Sequence, residues 1–397
     1  MAVSQSELSF ARRMEGMTGN VIREILKLTQ QPDVISFAGG LPSPDSFPES
    51  HIRRILEEIG GEFTSILQYA TTEGYPPLRE FLAAWVQGRG IEATPDQVLI
   101  LTGSQQGIDL ACKALLDPGD VVLVERPTYL TALQVFRMYQ ARAVAVPGDD
   151  EGIDPDALEK AIAEHRPKML YAVPTFRNPS GETWSPERRR RIAQLTAAAG
   201  VVVVEDDPYG LLRYDGQPLP AVKAFDEAGN IIYLGSFSKI ISPGLRVGYA
   251  VAREQLLRKL VIGKQTTDVH SSNLSQYIVN AFGRSPAFQS HLETICAQYR
   301  AKRDRMLAAM EAHFPAEARW TRPQGGLFTW VTLPETVSTT RLLERAVQQK
   351  VAFIPGTPFY TDGGGDHSMR LNFSNASFAQ IDEGIARLGR TLKEALA

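Results

Sequence analysis

Seven short runs of apolar, mostly β-branched residues between residues 98 and 251 constrain the fold of this chain most strongly. They are residues 98–101, 121–124, 143–146, 169–173, 201–204, 231–234 and 248–251. Longer stretches with helical periodicity separate the runs, for example residues 108–116, 154–165 and 185–199. This alternation predicts an α/β protein, with helices on both faces of a mostly parallel sheet. A wholly apolar run such as residues 201–204 is typical of a central strand.

The pattern changes near residue 285, which predicts a second, smaller α/β domain. A long helical stretch continues to Phe314, and a closing helix begins at Ser377. Before these units, a helix near residues 21–28 and the Gly39-Gly40-Leu41-Pro42 turn are too short to form a domain. We therefore expect an N-terminal segment over 1–45 that packs with the small domain and the cleft, a large domain over 46–285 and a small domain over 286–397.

Charge and residue usage disfavour several function classes. The net charge is −3 at pH 7 without long runs of like charge, so nucleic acid and membranes are not expected partners. The six histidines lack the spacing of a metal site, so no metal is expected. Cys112 and Cys296 have no paired spacing, and no signal peptide or membrane-spanning apolar run is present. We expect a soluble cytoplasmic protein.

Polar residues follow three of the predicted strands, at the sheet edge where ligands bind in open α/β folds. Thr102-Gly103-Ser104-Gln105-Gln106 precedes a helix, whose free N–H groups and dipole suit a phosphate. Glu205-Asp206-Asp207-Pro208-Tyr209 places acids after a buried strand, where a carboxylate needs a cationic partner. Lys239 follows the third strand among small hydroxyl residues, seven residues before Arg246.

Together these segments indicate pyridoxal 5′-phosphate, although each has an ordinary alternative as a helix cap, an acidic turn or a surface lysine. Lysine forms imines with aldehydes and is often neutral when desolvated near other cations, so Lys239 is the predicted Schiff-base residue. Ser236, Ser238 and Arg246 can donate to the phosphate. The acid after residues 201–204 can keep the pyridine ring protonated, so that the ring accepts electrons from a broken Cα bond.

Seven ordered motifs resemble those of the fold type I, class I/II aminotransferases, most closely the branch with the 2-aminoadipate and kynurenine aminotransferases. They lie at residues 35–42, 68–75, 102–106, 176–181, 205–209, 236–239 and 369–371. The resemblance covers essentially the whole chain and implies an aspartate-aminotransferase-like fold. It also implies a pyridoxal-phosphate-dependent aminotransferase that moves the amino group of an L-amino acid to a 2-oxo acid such as 2-oxoglutarate by a ping-pong mechanism.

Carried over position by position, the resemblance implies a role for each site residue. Lys239 is the Schiff-base lysine and proton carrier, and Asp206 pairs with the pyridine nitrogen. The other expected cofactor contacts are Gly103, Ser104, Gln105, Tyr129, Asn178, Tyr209, Ser236, Ser238 and Arg246, with Tyr129 stacking on the ring. Tyr69 would reach the phosphate from the second subunit of a homodimer. Arg370, Asn178 and the Gly40 backbone would bind the substrate α-carboxylate.

The donor amino acid stays open among 2-aminoadipate, aromatic, branched-chain and kynurenine-like candidates. Arg23 occupies the position that contacts the distal carboxylate in the 2-aminoadipate enzymes, but Asn20 stands where a serine is expected. A surface arginine paired to a nearby acid is the alternative. Ser180 replaces the threonine of the usual Asn-Pro-Thr-Gly motif and keeps its hydroxyl.

Two other functions are weighed against transamination. A lyase or decarboxylase would use the same cofactor residues, but Arg370 would hold the carboxylate that a decarboxylase must release. The second alternative function is that of a DNA-binding regulator with an aminotransferase-like domain. Only about 20 residues precede the aminotransferase-like sequence, too few for a helix-turn-helix module, and the net charge is not basic.

Overall fold

The computed structural model describes residues 9–15, 17, 33–60 and 63–396 of the chain. The helix predicted near residues 21–28 and the candidate substrate residue Arg23 lie outside these ranges. The strands are β1 (Ile35–Ser36), β2 (Val98–Leu101), β3 (Val121–Val124), β4 (Arg142–Ala145), β5 (Gly148–Asp149), β6 (Gly152–Ile153), β7 (Met169–Ala172), β8 (Val202–Asp207), β9 (Ile231–Ser236), β10 (Gly248–Val251), β11 (Arg319–Trp320), β12 (Phe328–Thr332), β13 (Val351–Ala352), β14 (Ile354–Pro355) and β15 (Ser368–Asn372).

The helices occupy the stretches between these strands. They are α1 (Glu49–Glu58), α2 (Phe63–Ile66), α3 (Pro76–Trp85), α4 (Ser104–Leu115), α5 (Leu130–Met138), α6 (Pro155–His165), α7 (Pro186–Ala199), α8 (Glu254–Gln265), α9 (Asn273–Gly283), α10 (Ala287–His313), α11 (Thr339–Gln348) and α12 (Phe378–Leu396). The predicted helices at 154–165 and 185–199 are confirmed, with their first residues as N-caps. Asp154 Oδ1 accepts from the Ala157 N–H at 2.9 Å, and Ser185 Oγ accepts from the Arg188 N–H at 3.3 Å.

The seven strands predicted from the apolar runs form one sheet, in the order β2-β10-β9-β8-β7-β3-β4. Strand β10 is antiparallel to both neighbours, and the other pairs are parallel. The carboxyl ends of β2, β8 and β9 therefore lie at the same edge of the sheet, where the residues before β10 also arrive. This confirms the predicted α/β architecture with a mostly parallel sheet.

Strands β8 and β9 extend further than the sequence predicted, because their pairing continues through the acidic residues. Glu205, Asp206 and Asp207 lie opposite Tyr233, Leu234 and Gly235. Hydrogen bonds compensate the burial of the flanking acids: Glu205 Oε1 accepts from the Val222 N–H at 2.8 Å, and Asp207 Oδ2 accepts from Arg89 at 2.7 Å. The acids therefore belong to the strand itself rather than to the loop after it.

A second sheet is antiparallel, in the order β11-β12-β15-β14. The long helix α10 packs against α12, and they approach so closely that a Cβ on Gly389 would lie 2.6 Å from the His313 carbonyl oxygen. Strand β1 pairs in parallel with β13, which joins residues 35–36 to this part of the chain. The domain boundaries at residues 45 and 285 stay a prediction.

Among the described residues, no helix is both long and apolar enough to cross a bilayer. Those residues also contain no group of three or more His, Cys, Asp or Glu side chains that could hold a metal ion. Cys112 and Cys296 are free thiols.

Candidate active site

A cavity of about 150 Å³ lies at the carboxyl edge of the large sheet. Ten of the predicted cofactor residues line it, together with three residues that the sequence did not single out: Ser104, Gln105, Tyr129, Asn178, Asp206, Tyr209, Ser236, Ser238, Lys239 and Arg246, with Val173, Pro208 and Pro243. The strand ends that carry these residues are far apart in sequence, and the parallel topology brings them to one place.

One end of the cavity is rich in hydrogen-bond donors. Gly103 precedes α4 with φ +77°, and no side chain caps the free N–H groups of the first helical turn. The Arg246 guanidinium packs over this turn: its Nη2 lies 3.4 Å from the Thr102 carbonyl oxygen and would be 2.3 Å from a Cβ on Gly103. On its other side, Arg246 Nη1 donates to Ser238 Oγ at 3.4 Å. This end of the cavity suits an anion.

Ser236 supports the same end by ordering the residues before the lysine. Its Oγ accepts from the Ser238 backbone N–H at 3.2 Å, directly after β9. This hydrogen bond turns the chain as the strand ends. As a result, Ser236, Ser238 and Lys239 all line the cavity.

Lys239 lies in the cavity with its amino group close to two guanidinium groups. Its Nζ donates to the Gly40 carbonyl oxygen at 2.9 Å. Burial, together with the nearby charges of Arg246 and Arg370, lowers the pKa of Lys239 to about 8. A lysine in this setting is a competent nucleophile and proton carrier near neutral pH.

Asp206 is buried at the end of β8 with one carboxylate oxygen satisfied. Its Oδ2 accepts from the Tyr171 hydroxyl at 2.8 Å, whereas Oδ1 is buried without a hydrogen-bond partner among the described residues. Burial raises the pKa of Asp206 to about 7, although the Tyr171 hydrogen bond opposes the shift. A cationic N–H donor at Oδ1 would satisfy this carboxylate.

Tyr171 is a site residue that the sequence reasoning missed. It lies within β7, whose other members Met169, Leu170 and Ala172 are apolar and buried. The one signal available was a hydroxyl-bearing residue in an otherwise apolar central strand, because a buried hydroxyl needs a partner. In sequence alone, nothing indicates that this partner is Asp206.

Arg370 is a fully buried cation that pairs with no carboxylate of the described residues. Its Nη1 donates to Asn178 Oδ1 at 2.8 Å and its Nη2 donates to the Ala38 carbonyl oxygen at 2.7 Å, while Nε has no partner within the described ranges. The guanidinium stacks 4.2 Å from the centre of the Phe328 ring. Burial lowers the pKa of Arg370 to about 10. The missing anionic partner makes it a candidate receptor for a ligand carboxylate.

Tyr129 and Tyr209 complete the walls of the cavity. Asn178 Nδ2 donates to the Tyr209 hydroxyl at 3.4 Å, so Asn178 joins Tyr209 to Arg370. Tyr129 lines the cavity from the N-cap position of α5.

Tyr69, the residue expected to reach the phosphate of a second subunit, lies apart from the cavity of its own chain. Its side chain is 80 % exposed, with its ring 5.8 Å from that of His270.

Comparison with known proteins decides which family this site belongs to. The profile of the family described as aminotransferase class I and II matches residues 32–388. The chain belongs to this family. The aminotransferase is 44% identical to the 2-aminoadipate transaminase of Thermus thermophilus over 98% of both chains. It is 42% identical to the aromatic-amino-acid aminotransferase 1 of Thermococcus litoralis over 98% of this chain and 95% of that one.

A solved structure agrees with this assignment. The crystal structure of Pyrococcus horikoshii kynurenine aminotransferase, in complex with PMP, superimposes with a TM-score of 0.94. The two share 42% identity over 98% of each chain. The aminotransferase therefore has the fold type I architecture and uses pyridoxal 5′-phosphate as its cofactor.

The cavity fits this cofactor on two counts that depend on the chain alone. Asp206 Oδ1, which is buried and accepts no hydrogen bond from the part of the chain that the structure describes, suits the protonated pyridine nitrogen. The donors around Gly103 and Arg246 suit the phosphate, and Gly103 leaves space that a Cβ would fill.

Proposed function

We propose that the aminotransferase moves the amino group of an L-amino acid to a 2-oxo acid such as 2-oxoglutarate, in the two half-reactions of a ping-pong mechanism. The observation that carries this proposal is that the amino group of Lys239 lies in the cavity and that the buried guanidinium of Arg370 lies directly behind the cavity wall, where it donates to the lining residue Asn178 at 2.8 Å. The charge of Arg370 acts on the Lys239 amino group, since it contributes, after burial and the charge of Arg246, to the lowered pKa of Lys239. An α-amino acid presents the matching pair of groups, an amine and a carboxylate.

When bound, pyridoxal phosphate supplies a protonated ring that withdraws the electrons left as a bond to the substrate Cα breaks. Asp206 holds the positive charge at the pyridine nitrogen. Tyr209 and Asn178, which line the cavity, would donate to the phenolic oxygen, and Tyr129 would contact the ring. Ser104, Gln105, Ser236, Ser238 and Arg246 hold the phosphate.

Lys239 would hold the cofactor through its amino group, and once a substrate amine took its place, the free Nζ would take up the proton that leaves Cα and deliver it to the aldehyde carbon of the cofactor. A lysine with a pKa of about 8 is neutral in about one molecule in ten at pH 7, against about one in 2,500 for an ordinary lysine. The lowered pKa therefore raises the fraction of the enzyme that can accept a proton. The Gly40 carbonyl, which accepts from Nζ at 2.9 Å, holds the amino group in place.

Replacing Arg370 by lysine should lower kcat/KM for amino acids about a hundredfold or more. The fork of two parallel N–H groups is lost, and an ammonium cannot bind both carboxylate oxygens in the same geometry. Steady-state kinetics with an amino acid and with the amine that lacks its carboxylate test the role. The amine should react equally with both enzymes. An equal loss for both substrates would contradict carboxylate recognition by Arg370.

One experiment separates transamination from lyase or decarboxylase chemistry. The enzyme is mixed with an amino acid in the absence of any oxo acid. We expect one 2-oxo acid per active site, with the cofactor left in its amine form. Repeated release of ammonia or carbon dioxide would support the alternative and contradict the proposal.

The donor is proposed among 2-aminoadipate, aromatic, branched-chain and kynurenine-like amino acids. The relatives described above are named for 2-aminoadipate, aromatic amino acids and kynurenine. Replacing Arg23 by alanine should lower kcat/KM for 2-aminoadipate by about ten- to a hundredfold, because a charge-assisted hydrogen bond to the distal carboxylate is lost. Leucine and phenylalanine serve as controls and should be unaffected. Unchanged kinetics with 2-aminoadipate would contradict the role of Arg23.

We further propose a homodimer in which Tyr69 completes the site of the partner subunit. Phe63, Leu67 and Tyr69 form an exposed apolar patch on α2 and the turn after it, of the kind that marks an interface. Tyr69 is too exposed to belong to the cavity of its own chain.

Hybrid dimers should reveal this sharing of residues. Subunits with Lys239→Ala and subunits with Tyr69→Phe are mixed at low cofactor concentration. If Tyr69 acts across the interface, each hybrid regains one wild-type site, since the Lys239→Ala subunit supplies an intact Tyr69. Tyr69→Phe alone should weaken cofactor affinity about tenfold through the lost phosphate hydrogen bond. Absence of recovery in the hybrids would show that Tyr69 does not act across an interface.

A further inference from the structure

A buried network of charged and polar groups lies beneath residues 102–106, which comprise the turn after β2 and the first residues of α4 and are called the loop of residues 102–106 below. Lys264, near the end of α8, is fully buried. Its Nζ donates to both carboxylate oxygens of Asp268, at 2.8 and 2.9 Å. The same Nζ lies 2.8 Å from Gln106 Oε1 and 3.1 Å from Ser271 Oγ. All hydrogen-bonding capacity of the ammonium is therefore used within the network.

The network holds the loop on both sides of Gly103. Gln106 Oε1 accepts from the Thr102 backbone N–H at 2.9 Å, and Gln106 Nε2 donates to Asp268 Oδ2 at 2.7 Å. The Thr102 hydroxyl donates to the same Asp268 oxygen at 2.8 Å and shares a hydrogen bond of 2.9 Å with Ser271. Thr102 and Gln106 are thus tied to one carboxylate and one ammonium.

The two partners differ in how burial acts on them: burial lowers the pKa of Lys264 although the hydrogen bond and charge of Asp268 oppose this shift. Burial alone would raise the pKa of Asp268, but hydrogen bonds from Lys264, Gln106 and Thr102 outweigh it, so the pKa lies below its ordinary value. A buried ion pair adds little net stability, since desolvation offsets the attraction. What it supplies is directional hydrogen bonds to Thr102 and Gln106, which apolar packing cannot provide.

Such bonds matter here because the loop contains a glycine in the left-handed region. Gly103 has greater backbone freedom than other residues, and the N–H groups after it can converge on an anion only while that freedom is restrained. Lys264 and Asp268 do not line the cavity. Any effect on a ligand must therefore pass through the loop.

We propose that Lys264 and Asp268 are positioning residues that hold the loop of residues 102–106 in the conformation that binds the cofactor phosphate. The inference rests on the proposed phosphate role of Ser104, Gln105 and Arg246. Pre-ordering the loop removes an entropic cost that binding would otherwise carry. The network should thus strengthen affinity for the phosphate group and leave the rest of the cofactor unaffected.

The test compares pyridoxal phosphate with pyridoxal, which lacks the phosphate. Cofactor-free protein is titrated with each compound, and near-visible absorbance gives two dissociation constants. Lys264→Met should raise the constant for pyridoxal phosphate at least about tenfold and change that for pyridoxal less than about twofold. Asp268→Asn, which keeps the shape of the side chain, provides a second test if the first variant does not fold. An unchanged ratio of the two constants in either folded variant overturns the inference.

Two control variants distinguish an error in the proposed phosphate site from an error in the proposed positioning role of Lys264 and Asp268. Lys302 is another buried lysine, and its Nζ donates to Ser43 and Ser374 rather than to the loop. Lys302→Met should lower the thermal unfolding midpoint without changing the ratio of the dissociation constants for pyridoxal phosphate and pyridoxal. If Lys264 had only a structural role, Lys264→Met would give the same result. Arg246→Ala should raise the ratio if the proposed phosphate site is correct. If Arg246→Ala has no effect, the proposed site is wrong. If it has the effect and Lys264→Met and Asp268→Asn do not, only the positioning role is wrong.

Discussion

Replacing Lys239 by alanine should reduce transamination by at least about 10⁴-fold and remove the near-visible absorbance of the lysine-bound cofactor. The methyl group of alanine can neither attach the aldehyde nor move a proton. Lys239 is also the lysine that lines the cavity, and its amino group has its pKa lowered to about 8. Absorbance spectra and single-turnover kinetics measure the two losses separately.

A matched control comes from the same chain. Lys259 lies exposed on α8, and Lys259→Ala should leave both spectrum and rate unchanged. An added small primary amine should restore part of the activity of Lys239→Ala, because the space left by the side chain can admit a group that carries the proton. If Lys239→Ala kept the absorbance and the rate, the cofactor would be attached elsewhere.

Replacing Asp206 by asparagine should lower kcat by about 10²- to 10³-fold, the second-largest effect that we expect. Asparagine has nearly the same shape but no charge, so it cannot keep the pyridine nitrogen protonated. The electrons released at the substrate Cα would then have a weaker acceptor. Pre-steady-state rates of the first half-reaction measure this loss, since product release does not contribute to them.

Variants of neighbouring groups show whether the charge or the packing of Asp206 matters. Tyr171→Phe removes the hydrogen bond to Oδ2 and keeps the carboxylate, so its effect should stay within about tenfold. If Asp206→Asn retained the wild-type rate, Asp206 would not be the partner of the pyridine nitrogen. If both variants lost the same amount, packing of the β7 and β8 strand ends would be the cause.

Much of the large sheet was predictable because strand signals are local. A short apolar run suffices to indicate a buried strand, and the four-residue runs at 98–101, 121–124 and 248–251 match the observed strands. The rule that ligands bind at the carboxyl ends of parallel strands then placed Lys239 and Asp206 in one site. The ends of β8 and β9 were not predictable, because acidic and small residues do not resemble a buried strand until their partners are known.

The sequence by itself determined the fold class, the family and the residues around the cavity, because these depend on periodicity, on motif order and on a general rule of topology. Only the tertiary structure decided which side chains act together. It joined Arg370 to Asn178 across 192 positions and Lys264 to Gln106 across 158. It also left Arg370 without an acid among the described residues and Asp206 Oδ1 without a donor. Hydrogen bonds and charges act over a few ångströms in space, and no local pattern specifies which distant residues packing will bring to that distance.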